Sequence, residues 1–140
     1  MVKKILFSTG LVLVVFLLLA ACSPGSSHEV KASLGQEFTL PVGQTAEING
    51  QNLSINFEEV TADSRCAIGV DCVRAGEAKC RLQITYQGST SRVIYTANGG
   101  TDGYSQDFFN QYKVSFRLEP YPRSGAEIAP GDYRLIMKVS

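Results

Sequence analysis

The chain holds no tryptophan and a single histidine in 140 residues, and it has no long run of charge of either sign. The histidine, His28, lies in a polar stretch near the N-terminus. A Cys–His or Ser–His–Asp nucleophile system therefore lacks its base in the folded part. A structural zinc site is equally short of ligands, because it wants four Cys or His side chains in closely spaced pairs. GxGxxG, P-loop and GxSxG signatures are missing, which removes the usual sequence routes to dinucleotide, nucleotide and acyl-transfer chemistry. Lys+Arg and Asp+Glu each number 13, so no basic excess points to nucleic acid. From these shortages we expect no cofactor, no metal ligand set, no catalytic residue and no enzymatic activity. Asp63, Asp71 and Glu77 are the remaining carboxylates that a glycosidase could pair. Beside arginines, such residues are more often solvated or ion-paired.

What is present begins at the N-terminus. Lys3 and Lys4 precede an almost wholly apolar run over residues 11–19, too short for a typical spanning helix, which ends in Leu19-Ala20-Ala21-Cys22. This order of charge, apolar run, small residues and cysteine resembles the lipobox of bacterial lipoproteins. The resemblance implies a signal peptide over residues 1–21, cleavage before Cys22, and a diacylglycerol thioether and an amide-linked acyl chain (palmitate or similar) on Cys22. Two or more acyl chains hold a soluble domain firmly on a bilayer, whereas one does so marginally. The expected partner is thus the membrane, and the expected place is the cell envelope. Ser23 after the cysteine fits the periplasmic side of an outer membrane, or the outer face of a plasma membrane where there is only one. Cleavage removes Lys3 and Lys4 and leaves 11 Lys+Arg against 13 Asp+Glu, a mildly acidic protein.

Residues 22–33 are rich in turn formers and read as a lipidated tether, with a root-mean-square span of roughly 20 Å as a flexible coil. The remaining residues, 34–140, are a normal length for one domain. Their apolar residues alternate with period two. Leu53, Ile55 and Phe57 form one such row; Leu82 and Ile84 a second; Val114, Phe116 and Leu118 a third; Tyr133, Leu135, Met137 and Val139 a fourth. Turn signals separate them, among them Asn49-Gly50, Gly88-Ser89 and Pro130-Gly131. The alternation slips at Glu58-Glu59, which predicts a bulge. Only residues 105–112 admit a short helical turn. The pattern predicts an all-β fold of about seven strands in an antiparallel β-sandwich, immunoglobulin-like or related. Pro130-Gly131-Asp132-Tyr133 resembles the tyrosine corner of immunoglobulin-like sandwiches; a plain β-turn with Tyr133 in the core is the competing reading.

Residues 63–80 hold three of the four cysteines. With Cys22 acylated, Cys66, Cys72 and Cys80 allow three pairings in an oxidising compartment. Loop entropy separates them little, at about 2.4 kcal/mol for Cys66–Cys72 and about 3 for Cys66–Cys80. Periodicity decides: Cys80 falls in step with Ala78, Leu82 and Ile84, so it should be a buried thiol, and Cys66 should bond Cys72 across an easy turn.

The stretch also resembles secreted bacterial domains that carry an Asp-Ser-Arg-Cys segment, a nearby second cysteine and an Ala-Gly element entering a strand. The match runs through Asp63-Ser64-Arg65-Cys66, Cys72-Val73 and Ala75-Gly76-Glu77-Ala78, and more loosely through "LPVGQTAEI", "LSINFEEV", "EPYP" and "DYRLIMKV". It departs at Ala67 and Arg74, where those domains have proline and tryptophan, and it brings no activity with it. Asp63 and Arg65 are expected to tie up backbone groups within the loop, and Arg74 to face solvent. Asp63, Arg65, Asp71, Arg74 and Glu77 are the candidates for structuring the loop or for binding. The expected function is an interaction module for an envelope protein or small ligand. The alternative is a peptidase-inhibitor-like domain presenting residues 61–78, 97–107 and 119–131.

Overall fold

The computed structural model describes residues 29–98, 104–108 and 111–140, the middle segment as backbone only. Residues 1–28, which include the expected signal peptide, Cys22, His28 and the first part of the expected tether, lie outside the described residues.

Two stacked sheets carry the described chain. One contains β1 (Glu29–Ala32), β3 (Thr45–Ile48), β4 (Leu53–Asp63), β5 (Glu77–Tyr86) and β6 (Ser89–Asn98), side by side in that order. The other contains β2 (Glu37–Pro41), β9 (Arg134–Val139), β8 (Tyr112–Glu119) and β7 (Tyr104–Phe108) in that order. The expected β-sandwich is the fold, with nine described strands where about seven were expected. All pairings are antiparallel except that of β1 with β3. The likeness to immunoglobulin domains stops at the two layers, because β3 to β6 and β7 to β9 are meanders of neighbouring strands and not Greek keys.

The alternating rows fill the space between the sheets. Leu53, Ile55 and Phe57 of β4, Ala78, Cys80, Leu82 and Ile84 of β5, and Tyr95 and Ala97 of β6 face Val114, Phe116 and Leu118 of β8 and Leu135, Met137 and Val139 of β9. Tyr95 stacks on Phe116 across the layers, with ring centroids 5.4 Å apart. Cys80 is the buried free thiol that the periodicity predicted.

Three local expectations are corrected. The tether does not extend to residue 33: Val30 and Ala32 alternate with Glu29 and Lys31, and this short strand takes the free edge of β3, burying Ala32. The domain therefore starts at or before Glu29 and not at residue 34. The helical turn admitted over residues 105–112 is replaced by β7 and the start of β8, which pair Phe108 with Tyr112; residues 109–110 are outside the described set. Pro130–Asp132 forms a 3-10 turn, but no tyrosine corner follows it. The Tyr133 hydroxyl donates to Asp63, 70 positions away, and not to nearby backbone.

The bulge expected after Phe57 is present, and a second follows between Val60 and Ala62. Directly paired residues share a face. The pairs Phe57–Leu82, Val60–Cys80 and Asp63–Ala78 therefore place every third residue of β4, from 57 to 63, on the inner face. Two extra residues in the strand thus deliver a carboxylate to the end of the core.

A chain begun at Leu34 should be less stable than one begun at Glu29 by about 2 kcal/mol, the scale of the lost Val30 and Ala32 burial. Denaturant melts of the two measure this; equal midpoints would show that β1 contributes nothing.

Candidate functional site

Asp63 and Arg65 meet where β4 leaves the core. Arg65 is 6% exposed, and it is the only buried charged residue among the described residues. Its Nε donates to Asp63 Oδ1 at 2.9 Å and its Nη2 to Oδ2 at 2.6 Å, a two-pronged pair. Nη1 donates to the Leu118 carbonyl at 2.7 Å and Nη2 also to that of Pro120 at 3.0 Å. The guanidinium carbon lies 5.0 Å from the Tyr121 ring centroid, a cation–π distance. Asp63 accepts in addition from the Arg65 backbone N–H and from the Tyr133 hydroxyl, both at 3.1 Å. Both sheets and both long loops at this end are joined through two side chains.

The electrostatics follow from that geometry. Burial pushes the Asp63 pKa up, but the Arg65 side chain and backbone N–H, its charge, and the Tyr133 hydroxyl together outweigh burial and hold it below the ordinary value. Burial, and then the Asp63 charge, raise the Tyr133 hydroxyl. Burial pushes the Cys80 thiol up to about 12, so it stays protonated and inert.

The loop over residues 64–76 is built on this base. The β4–β5 ladder continues into it, with Ser64 N–H donating to the Glu77 carbonyl at 2.8 Å and Cys66 N–H to that of Ala75 at 2.7 Å. Gly76 has φ +70°, and a Cβ there would sit 1.8 Å from the Ser64 carbonyl oxygen, so no other residue fits without moving the ladder. Cys66 and Cys72 are disulfide-bonded, as expected, and a disulfide belongs to an oxidising compartment. Beyond the staple, Ile68 N–H donates to the Pro122 carbonyl and Ser124 N–H to the Ile68 carbonyl, so the loop docks on the one between β8 and β9.

Arg65 departs from expectation in its partners. Its carbonyl acceptors belong to β8 and to the loop after it, not to its own loop, because the bulged strand aims it across the sandwich and not outward. Asp71 and Arg74 are exposed on the loop. Glu77 opens β5, where its backbone pairs with Ser64 and its carboxylate lies 3.5 Å from Lys79 Nζ. Asp63, Asp71 and Glu77 do not form a facing pair of free carboxylates, since Asp63 is consumed by Arg65 and Tyr133. Among the described residues, no three His, Cys, Asp or Glu side chains lie close enough to hold a metal ion. A shallow surface depression is lined by Glu58, Glu59, Arg81 and Arg92, whose charges are paired with each other, Arg81 with Glu59 and Arg92 with Glu58.

Residue-by-residue reading of the sequence missed the outer face of the loop. Ile68, Val70 and Val73 are exposed, at 54%, 47% and 102%, the first two within the disulfide-closed segment and the third directly after it. Their signal was in the sequence, as apolar residues in a turn region outside any strand row. Residues 61–78 and 119–131, two of the three candidate loops, meet at this end through the Ile68–Arg123 bridge. The third begins here too, where Asn98 pairs with Glu77, although residues 99–103 lie outside the described set. Compared with known protein families, curated protein sequences and solved structures, the chain finds no match.

Removing one partner of a buried ion pair typically costs about 3–5 kcal/mol. Arg65→Ala should fall in that range because it strands Asp63 and two carbonyls, while Arg74→Ala should stay within about 0.5 kcal/mol of the parent. Chemical denaturation decides; equal small losses would mean that the buried pair does not brace the fold.

A carboxylate with a lowered native pKa stabilises fully above its unfolded value, about 3.9, and loses that contribution as pH falls through the native value. The stability difference between the parent and Asp63→Asn should therefore be constant near neutrality and shrink below about pH 4. A gap that persists unchanged to pH 2 in denaturant titrations would contradict this.

Proposed function

We propose that the chain is a lipid-anchored cell-envelope protein, a non-enzymatic β-sandwich module that interacts through the end of the sandwich carrying the stapled loop. It is cut before Cys22, acylated there, and faces the periplasm or the exterior. The observation that carries the reading is the construction of that loop. Its base is cross-braced by Asp63, Arg65, Gly76 and the disulfide, and its tip holds aliphatic side chains in solvent. Folding has no use for exposed apolar groups on a rigid mount, whereas recognition does. The titratable groups near the loop support a binding role over catalysis, because the best-placed carboxylate is locked in a structural pair and the nearest thiol is protonated. The anchor is supported by the ordered lipobox features and by a disulfide that suits an exported domain.

Cys22→Ser should move the protein from the membrane to the soluble fraction of the envelope. Membrane fractionation after a high-salt wash measures it, and full retention of the variant in the pellet overturns the anchor.

A further inference from the structure

The direction of β1 ties the anchor to the loop. β1 runs parallel to β3 and therefore antiparallel to β4, whose course leads to Asp63 and the stapled loop. The chain consequently reaches Glu29 from the side of the sandwich on which the loop stands. Glu29 pairs with Thr45, and Thr45 with Asn56, which is seven residues short of Asp63 along β4. At a strand rise of about 3.3 Å per residue, Glu29 lies roughly 23 Å behind the root of the loop. Cys22 is seven residues before Glu29, a contour of at most about 25 Å. The contour available between Cys22 and Glu29 therefore only about matches the strand length that separates Glu29 from the root of the loop, so an acyl group on Cys22 cannot hold the domain far from the lipid surface on the loop side.

The chemistry of the loop suits that surface. Its exposed apolar residues, Ile68, Val70 and Val73, are all aliphatic, without the aromatic anchors that dominate protein–protein hot spots. Arg74 follows Val73, and Arg123 is paired by its backbone with Ile68; both are exposed and available to lipid phosphates, with Asp71 the one exposed carboxylate in the stapled segment. The Cys66–Cys72 bond and the bridge to residues 122–124 hold the tip in place, so contact costs little ordering.

We infer that the stapled loop is a second, non-covalent membrane contact, in which Ile68, Val70 and Val73 enter the headgroup–acyl boundary and set the orientation of the anchored domain. The inference rests on acylation at Cys22, since three aliphatic side chains are too few to hold a domain on a bilayer alone.

The chain has no tryptophan, so one introduced residue reports without background. Val73→Trp and Ser89→Trp place the probe on the loop and at the opposite end, at the start of β6, both at exposed positions. Each full-length variant is purified with its lipid, checked for the acyl mass on Cys22, and reconstituted in phosphatidylcholine–phosphatidylglycerol vesicles with brominated acyl chains. The expected result is a blue-shifted, quenched emission from Val73→Trp and a water-like, unquenched emission from Ser89→Trp. Val70→Trp serves as a second loop probe and should behave as Val73→Trp. If acylated, vesicle-bound protein shows no quenching at the loop, this inference falls and the anchor stands. Equal quenching at both ends overturns it as well, because the domain then has no preferred face. A Val73→Trp emission that shifts only in native envelopes and resists brominated lipid puts a protein partner on the loop instead. Absence of the acyl mass on Cys22 overturns the anchor and this inference together.

Discussion

The Asp63–Arg65 pair is the constraint around which this end of the sandwich is organised. Taking both ions out of water costs several kcal/mol each, and their attraction alone does not reliably restore it. The balance changes when every remaining valence is filled. Asp63 accepts from the Arg65 Nε, Nη2 and backbone N–H and from the Tyr133 hydroxyl. Arg65 spends its other contacts on the carbonyls of Leu118 and Pro120, groups at the end of β8 that lie beyond or at the margin of the ladder. An aliphatic pair of equal volume would fill the same space but leave those carbonyls without a donor. Lysine would reach fewer of them, because it lacks the planar fork. The pair thus fixes how the two sheets and their loops close together, a task of specificity that dispersion does not perform.

How a charged pair came to face inward is a matter of register. A strand with strict alternation would have placed residues 59 and 61 inside after Phe57. The two bulges replace that with Val60 and Asp63, opposite Cys80 and Ala78. The small Ala78 leaves room beside the carboxylate, and the continued ladder from Ser64 to Glu77 carries Arg65 inward two residues later. Gly76 closes the device, since its missing side chain is what lets the Ser64 carbonyl come close. Asp-Ser-Arg-Cys and Ala-Gly are therefore two halves of one mechanical joint, separated in sequence by the staple.

This explains which features were legible in the sequence. Alternation identified four core strands, β4, β5, β8 and β9, the buried Cys80 and, by elimination, the Cys66–Cys72 bond, because each depends on a local period of two, while the core rows of β2, β3 and β6 were not recognised. It also exposed the first bulge, where two glutamates broke the row. β1 was missed although Val30 and Ala32 alternate properly, because four residues beside a polar stretch carry little signal without their partner β3. The partners of Arg65 were out of reach for a different reason. Leu118 and Pro120 offer backbone carbonyls, which no side-chain pattern marks, and the contact spans more than 50 residues. The neighbours of Tyr133 left a corner motif and a plain turn with Tyr133 against the core both open; it does pack against the core, and its acceptor, Asp63, lies on β4, which shares an end with β9.

A rigid joint and an exposed apolar tip make sense together. Exposed aliphatic residues on a mobile loop would collapse onto the nearest hydrophobic surface, here the edge of the core. The staple and the docking of Ile68 on residues 122–124 prevent that by fixing the backbone, so Val70 and Val73 stay in solvent. The same fixation lowers the entropy that any later contact must remove. The buried charges below add a further restriction: they can neither move outward without exposing the core nor inward without losing partners. Stability at the base and availability at the tip are thus produced by the same set of bonds, and loosening the base would be expected to release the tip before it unfolds the sandwich.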